Sequence, residues 1–224
     1  MTNILLFAAG FGTRMGTLTQ DRPKPLIPVA GRALIDHTLD LARAVNPGLI
    51  AANLHYKPDM LAAHLEPQGI TVNVEEPDIL ETGGGLRAAL PLLGPAPVVT
   101  MNTDAIWAGP NPVADLLNAW DPDRMDALLM CVPIEQAIGH TGKGDFTRDE
   151  AGRITRGSGL IYGGVQILKT ERLAEIDAQV FSLNRLWDLM LADKRLFALR
   201  YTGRWCDVGT PEGITLAETL LADV

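Results

Sequence analysis

The sequence predicts an α/β fold: a mostly parallel sheet with helices on both faces, forming a single domain over residues 1–224. Three observations predict it. Short apolar runs alternate with longer stretches of helical periodicity from the first residues, a βαβαβαβ rhythm whose crossovers require parallel strands. The opening run, 3–9, is rich in Ile, Leu and Phe, as a buried strand is. No linker, repeat or low-complexity segment divides the chain, so the irregular second half extends the same sheet.

Each element follows from its local pattern. The run 3–9 is a strand ended by Gly10. Residues 34–45 carry Leu34, Ile35, Leu39, Ala42 and Val45 on one helical stripe, closed by Asn46-Pro47-Gly48. Strand 49–54, short helix 59–65 and strand 70–74 come next, then a glycine-rich helix over 82–93 and an apolar strand over 97–101. Right-handed crossovers place the ends of these strands along one rim, where ligands of such sheets bind. Beyond it, 126–133 reads as a strand, 145–155 as a hairpin and 160–168 as a long strand. Helix 183–193 is entered through Ser182, a good N-cap residue. Strands 196–201 and 205–208 precede a last helix opened by Pro211, with Thr210 as cap.

Composition excludes several classes of function. A chain of 224 residues, 47% hydrophobic and 21% charged, has ample material for a core. Its formal charge of −8 argues against a nucleic-acid partner, which needs a basic face. It leaves room for a small anion, since a few cations and a metal ion can dominate one site. Cys131 and Cys206 are far apart and read as buried free thiols of a reducing compartment. His37, His55, His64 and His140 form no zinc-type spacing. The apolar start is too short for a signal peptide, and no run approaches the about 18 apolar residues of a membrane span. The expectation is a cytoplasmic protein with no membrane partner.

Chemistry concentrates first in AAGFGTRMGTLTQDRPKPL, residues 8–26. Gly10 and Gly12 follow a buried strand, where missing side chains let backbone N–H groups approach a phosphate or base. Arg14 and Lys24 supply a forked donor and a mobile ammonium, the cations a triphosphate needs. A dinucleotide-binding turn would enter a helix at once, yet Pro23 and Pro25 interrupt; a P-loop would need Gly-Lys-Ser/Thr. A long open loop wrapped around a nucleotide fits these residues, and so does a plain surface loop. In LETGGGLRAAL, from Leu80, three glycines open a helix; they serve either a ligand at the helix N-terminus or close helix–sheet packing. VVTMNTDAIW ends an apolar strand at Asn102, Thr103 and Asp104, and WCDVGTP places Asp207 likewise after a strand and before a helix. Two carboxylates meeting on one rim make a Mg²⁺ site completed by water and phosphate; read singly, each is a turn or helix-entry acid. In GHTGKGDF, 139–146, Lys143 and Asp145 beside three glycines can contact sugar hydroxyls or phosphate, or belong to a flexible hairpin.

A strand, A-A-G-x-G-T-R and then R-P-K-P-L resemble the sugar-1-phosphate nucleotidyltransferase family; Gly16-Thr17 departs from its usual pattern. The resemblance implies a Rossmann-like fold of the nucleotide-diphospho-sugar transferase type. It also implies a reaction joining a nucleoside triphosphate to a sugar 1-phosphate with loss of pyrophosphate. By that likeness Ala9, Gly10, Gly12, Thr13, Arg14, Lys24, Gly83 and Gly84 bind nucleotide, and Asp104 and Asp207 hold Mg²⁺. Asn102, Asp145 and Lys143 then face the sugar. Arg14, Lys24, Asp104 and Asp207 are the candidate catalytic residues. Where many members carry Glu-Lys-Pro, this chain reads RITRGSGLI, 153–161, so its hold on the sugar phosphate differs. LETGGG, G-K-G-D-F and W-C-D-V-G-T resemble the short branch of N-acetylmuramate-1-phosphate uridylyltransferases, with guanylyl transfer to mannose 1-phosphate as the runner-up. A silent nucleotide-sugar sensor and a dinucleotide-dependent oxidoreductase remain the alternatives from other classes.

Overall fold

The computed structural model describes residues 2–95 and 97–223. Strand β1 (Asn3–Phe7) lies within the main sheet, with Ile4, Leu5 and Leu6 essentially inaccessible to solvent. It stops two residues before the apolar run does. Ala8 leaves the ladder because its N–H donates to Asn53 Oδ1 at 3.0 Å. The following loop contains two short 3₁₀ segments, Thr13–Thr19 and Lys24–Leu26, then a two-residue hairpin of β2 (Pro28–Val29) and β3 (Arg32–Ala33). Regular βα units follow: α1 (Leu34–Arg43), β4 (Ile50–Leu54), α2 (Pro58–Leu65), β5 (Thr71–Val74), α3 (Glu81–Leu93) and β6 (Val98–Asn102). β4 and β6 flank β1 and β5 pairs with β4, all parallel, so their carboxyl ends form one rim.

Two elements occupy 105–119, where no periodic stripe marks them in the sequence: β7 (Ala105–Ala108) and α4 (Pro112–Ala119). Asn111 caps α4, its Oδ1 accepting the N–H groups of Val113 and Ala114. The second half then runs β8 (Ala127–Pro133), β9 (Ala137–Ile138), the hairpin β10 (Phe146–Arg148) and β11 (Ile154–Arg156), β12 (Leu160–Leu168), α5 (Asn184–Ala192), β13 (Leu196–Arg200), β14 (Arg204–Asp207) and α6 (Pro211–Ala222). β12 lies antiparallel between β6 and β8, which makes the sheet mixed beyond its parallel half. The cap of α5 falls on Leu183, although Ser182 Oγ still accepts from Asn184 N–H at 3.2 Å. Thr210 stands at the cap position of α6 without a capping side-chain bond.

Alternation along the strands divides the core. Ile4 and Leu6 pack with Ile35, Leu39, Leu61 and Leu116 from α1, α2 and α4. Leu5 packs with Leu86, Ala89, Leu186 and Met190 from α3 and α5 on the opposite face. Burying such side chains contributes roughly 1.5–3 kcal/mol each, which fixes the register of β1 and hence its outgoing loop. A smaller core of Ile106, Cys206, Val208 and Ala217 joins β7, β14 and α6. Cys131 and Cys206 are free and buried. Among the described residues no helix is long and apolar enough to cross a membrane.

Candidate active site

Two adjoining cavities open on the carboxyl rim, of about 310 and 260 Å³, and share Phe7, Thr82 and Asn102. The first is walled by Ala9, Gly10, Gly12, Thr13, Arg14, Lys24, Asp104 and Gly209. Gly12 explains how its loop holds a lysine there. With φ at +64°, a Cβ on this residue would also come within 2.8 Å of Lys24 Cβ, so only glycine allows the contact. Lys24, 8% exposed, is thereby directed at Asp104, its Nζ 2.9 Å from Oδ2. Gly10 lines the cavity with nothing within 4 Å of where its Cβ would be, which leaves its backbone open to a ligand. Arg14 lies over Gly209, where a Cβ would meet Nη1 at 2.7 Å, and reaches to 3.9 Å from Asp207 Oδ2.

The two acids converge through strand pairing. β14 runs antiparallel to β7 with Asp207 opposite Ala105, and Val208 N–H donates to the Asp104 carbonyl at 2.9 Å. Thr103 Oγ1 donates to Phe7 O at 2.9 Å and fixes the end of β6 against β1. Burial, and then the negative charge of Asp104, push the Asp207 carboxyl above its ordinary value; Lys24, Arg14 and His140 act in the opposite sense. A carboxylate whose charge is disfavoured by burial beside a second carboxylate is an arrangement a cation relieves. Among the described residues no group of three or more His, Cys, Asp or Glu is placed to hold a metal ion. Asp104 and Asp207 could hold one only with oxygen donors from elsewhere, which is how Mg²⁺ is commonly bound.

The glycines of LETGGG have a different role from ligand contact, and Gly83 and Gly84 need correction on this point. Their N–H groups both donate to Phe181 O, at 2.9 and 3.1 Å. Side chains there would run into the Phe181 ring and Gln179 O, and one on Gly85 into Glu75 Oε1. Close packing of α3 is what needs them; Glu81 and Thr82 line the cavity instead. Glu75 supports that wall from beneath. It accepts from Asn53 Nδ2 at 2.5 Å and from Leu80 N–H at 2.7 Å, and Asn53 accepts from Ala8. A buried pair thus ties the glycine loop to the start of α3.

The second cavity is lined by Asp145, Arg156, Tyr162, Ser182, Asn184 and Trp187. Asp145 Oδ2 accepts Tyr162 N–H at 2.8 Å, and Asn102 stands at the junction of the two cavities. A bulge in β12 sets Asn102 there: Gly164, with φ at +92°, leaves only enough room for the Asn102 side chain, whose Cβ would lie 2.8 Å from a Cβ on it. Trp205 Nε1 satisfies the Gly163 carbonyl at 3.0 Å. Lys143 lines neither cavity; its carbonyl accepts Gly159 N–H at 2.9 Å and shapes the hairpin, so the cation facing this cavity is Arg156.

Residues 4–157 match the family profile of the MobA-like NTP transferase domain. The chain belongs to that family. This transferase is 41% identical to an N-acetylmuramate alpha-1-phosphate uridylyltransferase of Caulobacter vibrioides, over 98% of its own length and 96% of that protein's. It is 32% identical to the Neisseria meningitidis protein of the same name, over 92% of each. A mannose-1-phosphate guanylyltransferase catalytic subunit beta of Dictyostelium discoideum is 27% identical over 93% of the transferase and 61% of its own length. HddC of Yersinia pseudotuberculosis, crystallised with GMP-PN, superposes with a TM-score of 0.77 at 19% identity, covering 98% of the transferase and 99% of that chain. A Bacillus anthracis protein assigned to the glucose-1-phosphate thymidylyltransferases superposes at 0.79 with 15% identity, covering 100% and 96%. At those identities the two structures establish the nucleotidyltransferase fold.

Several residues of the transferase's cleft escaped sequence reasoning. Gly209 sits two positions beyond Asp207 in the same motif, where a glycine before a helix reads as a plain turn. Asn53, one residue before the end of β4, and Glu75, just past β5, have no local pattern around them. Arg156 belongs to RITRGSGLI, the stretch already conspicuous for its departure from Glu-Lys-Pro.

Proposed function

We propose that the transferase joins UTP to N-acetylmuramate 1-phosphate with release of pyrophosphate, in the cytoplasm and with Mg²⁺ bound by Asp104 and Asp207. The observation that carries the chemistry is the β7–β14 pairing, which sets Asp104 and Asp207 on one rim beside Lys24 and Arg14. The choice of UTP and N-acetylmuramate rests on the names of the two relatives at 41% and 32% identity.

An oxygen of the sugar phosphate attacks the α-phosphorus of the nucleotide. The new P–O bond forms as the bond to the β-phosphate bridging oxygen breaks, and pyrophosphate carries off the electron pair. The nucleophile is already an anion, so no general base is required, and the protein contributes positioning and charge. Lys24, held between Gly12 and Asp104, faces the phosphates from the floor of the cleft. Arg14, more exposed, is placed to meet the departing pyrophosphate. Backbone groups at Ala9 and Gly10 line the nucleotide side. Asn102 and Asp145 offer acceptors to sugar hydroxyls. A divalent ion on the two acids supplies charge neutralisation at the reacting phosphate when bound.

A pyrophosphate-release screen of the common triphosphates against a panel of sugar 1-phosphates tests this reading. UTP with N-acetylmuramate 1-phosphate is the pair expected to turn over fastest. Turnover of GTP with mannose 1-phosphate would reassign the substrates and keep the chemistry. Nucleotide binding with no pyrophosphate from any pair would make the protein a sensor and refute the proposal.

A further inference from the structure

We infer that Arg156 recognises a carboxylate on the sugar, and so makes the enzyme selective for an acidic sugar phosphate over its neutral counterpart. The inference rests on the proposed reaction and names the substrate class of its sugar side.

The two cavities differ in the cations they hold. Lys24 and Arg14 belong to the first, together with Asp104, while Asp207 lines neither cavity and lies 3.9 Å from Arg14. The lysine or arginine lining the second is Arg156 alone among its described residues. A sugar phosphate must bring its phosphorus-bound oxygen to the nucleotide in the first cavity. Its ring then crosses the junction at Asn102, and the substituents remote from the phosphate enter the second cavity. A guanidinium waiting there meets the ring's substituents, not its phosphate. A guanidinium, here 42% exposed, pairs weakly with neutral hydroxyls and strongly with a planar carboxylate, which it binds through two parallel hydrogen bonds.

Arg156 is also held in place for this. Its guanidinium carbon sits 5.0 Å from the centroid of Phe146 and 5.7 Å from that of Trp187. Trp187 is itself fixed, its Nε1 donating to the buried Gln166 Oε1 at 2.9 Å. One nitrogen, Nη2, donates to Asp188 Oδ1 at 2.9 Å, and that carboxylate is exposed and outside the cavity lining, so most of the fork remains for a ligand. The other charged group of the cavity, Asp145, is tied to Tyr162 N–H through Oδ2 and suits hydroxyl donors. One cation and one acid therefore divide the work between a carboxylate and hydroxyls. Muramate differs from glucosamine in just such a group: a lactate carried as an ether on the ring.

The test compares kcat/KM for N-acetylmuramate 1-phosphate and N-acetylglucosamine 1-phosphate in wild type and in Arg156→Gln. Wild type should prefer the acidic sugar. The variant should lose about 10- to 100-fold on it, chiefly through KM, as expected for a hydrogen-bonded charge, while its rate on the neutral sugar changes less than threefold. Equal losses on both sugars would place Arg156 at the phosphate and overturn the inference, as would no loss on either. If Arg156→Gln does not fold, Arg156→Lys carries the comparison; it keeps the charge without the fork, and an unchanged preference would again overturn the assignment. Should wild type turn over neither sugar, the reaction has failed rather than this site. Calorimetric affinities of the same two sugar phosphates for wild type and variant then decide the role of Arg156.

Discussion

Asp207 is held under tension that its burial and the neighbouring Asp104 charge create, and this separates its effect on activity from its effect on stability. Asp207→Asn removes a disfavoured charge without changing the shape of the site. We expect turnover to fall at least about 100-fold, the scale for losing a group that stabilises charge in the transition state. The thermal midpoint, measured in chelator-containing buffer, should be no lower than that of wild type. A large drop in midpoint would make Asp207 a structural residue. At this scale much of the site was legible, because Gly10, Gly12, Arg14 and Lys24 lie within one short segment whose glycines and cations point to a phosphate together. Gly83 and Gly84 were legible only as two alternatives. Nothing in LETGGG reveals that Phe181 and Gln179, a hundred residues later, press against that helix.

Helix α3 and strand β8 carry predictions of a different kind. Gly84→Ala forces a side chain toward Gln179 O, a backbone atom that cannot swing aside. Urea unfolding should report a loss of about 1–3 kcal/mol, typical of overpacking, while KM for nucleotide in the folded enzyme moves less than threefold. A tenfold rise in KM without loss of stability would restore the ligand-contact role. Just before β8, burial pushes the Asp126 carboxyl up, but hydrogen bonds and charges from Arg195 and Lys169 outweigh it and hold it below its ordinary value. A depressed folded-state value means the stabilisation is complete above the unfolded value of about 3.9 and is lost as pH falls through the folded one. Asp126→Asn should therefore cost about 1–3 kcal/mol at pH 7, with the gap from wild type closing below about pH 4. A gap that stays constant down to pH 3 would contradict the pairing. Elements with strong periodicity, such as α1 and β12, could be read from sequence, whereas β7 could not. Its four residues follow a turn acid directly, and they form a strand because β14, far along the chain, pairs with them. Helix α4 did carry its signal, Asn111 before Pro112, but its eight residues are too few for a periodic stripe to stand out.

Across the whole molecule, the cleft draws its walls from the parallel half of the sheet and from the β7–β14–α6 unit that packs beside it. A ligand spanning these parts should stabilise the fold: at a hundredfold excess over its Kd, UTP adds about 2.7 kcal/mol by mass action, visible as a raised thermal midpoint. Absence of any shift at millimolar UTP would contradict nucleotide binding in this cleft. The parallel rim, the nucleotide side and both acids could be anticipated from sequence, because each lies where a strand gives way to the next element. The sugar side was less legible, since its cavity is assembled from the β10–β11 hairpin, the β12 bulge and the approach to α5. The central claim is that Asp104 and Asp207 share one divalent ion. Electron paramagnetic resonance of Mn²⁺, titrated into the protein with a non-hydrolysable UTP analogue, tests it apart from activity. Wild type should bind one tightly held ion, and Asp104→Asn and Asp207→Asn should each weaken it by at least tenfold. Wild-type Mn²⁺ affinity in both variants would contradict the account.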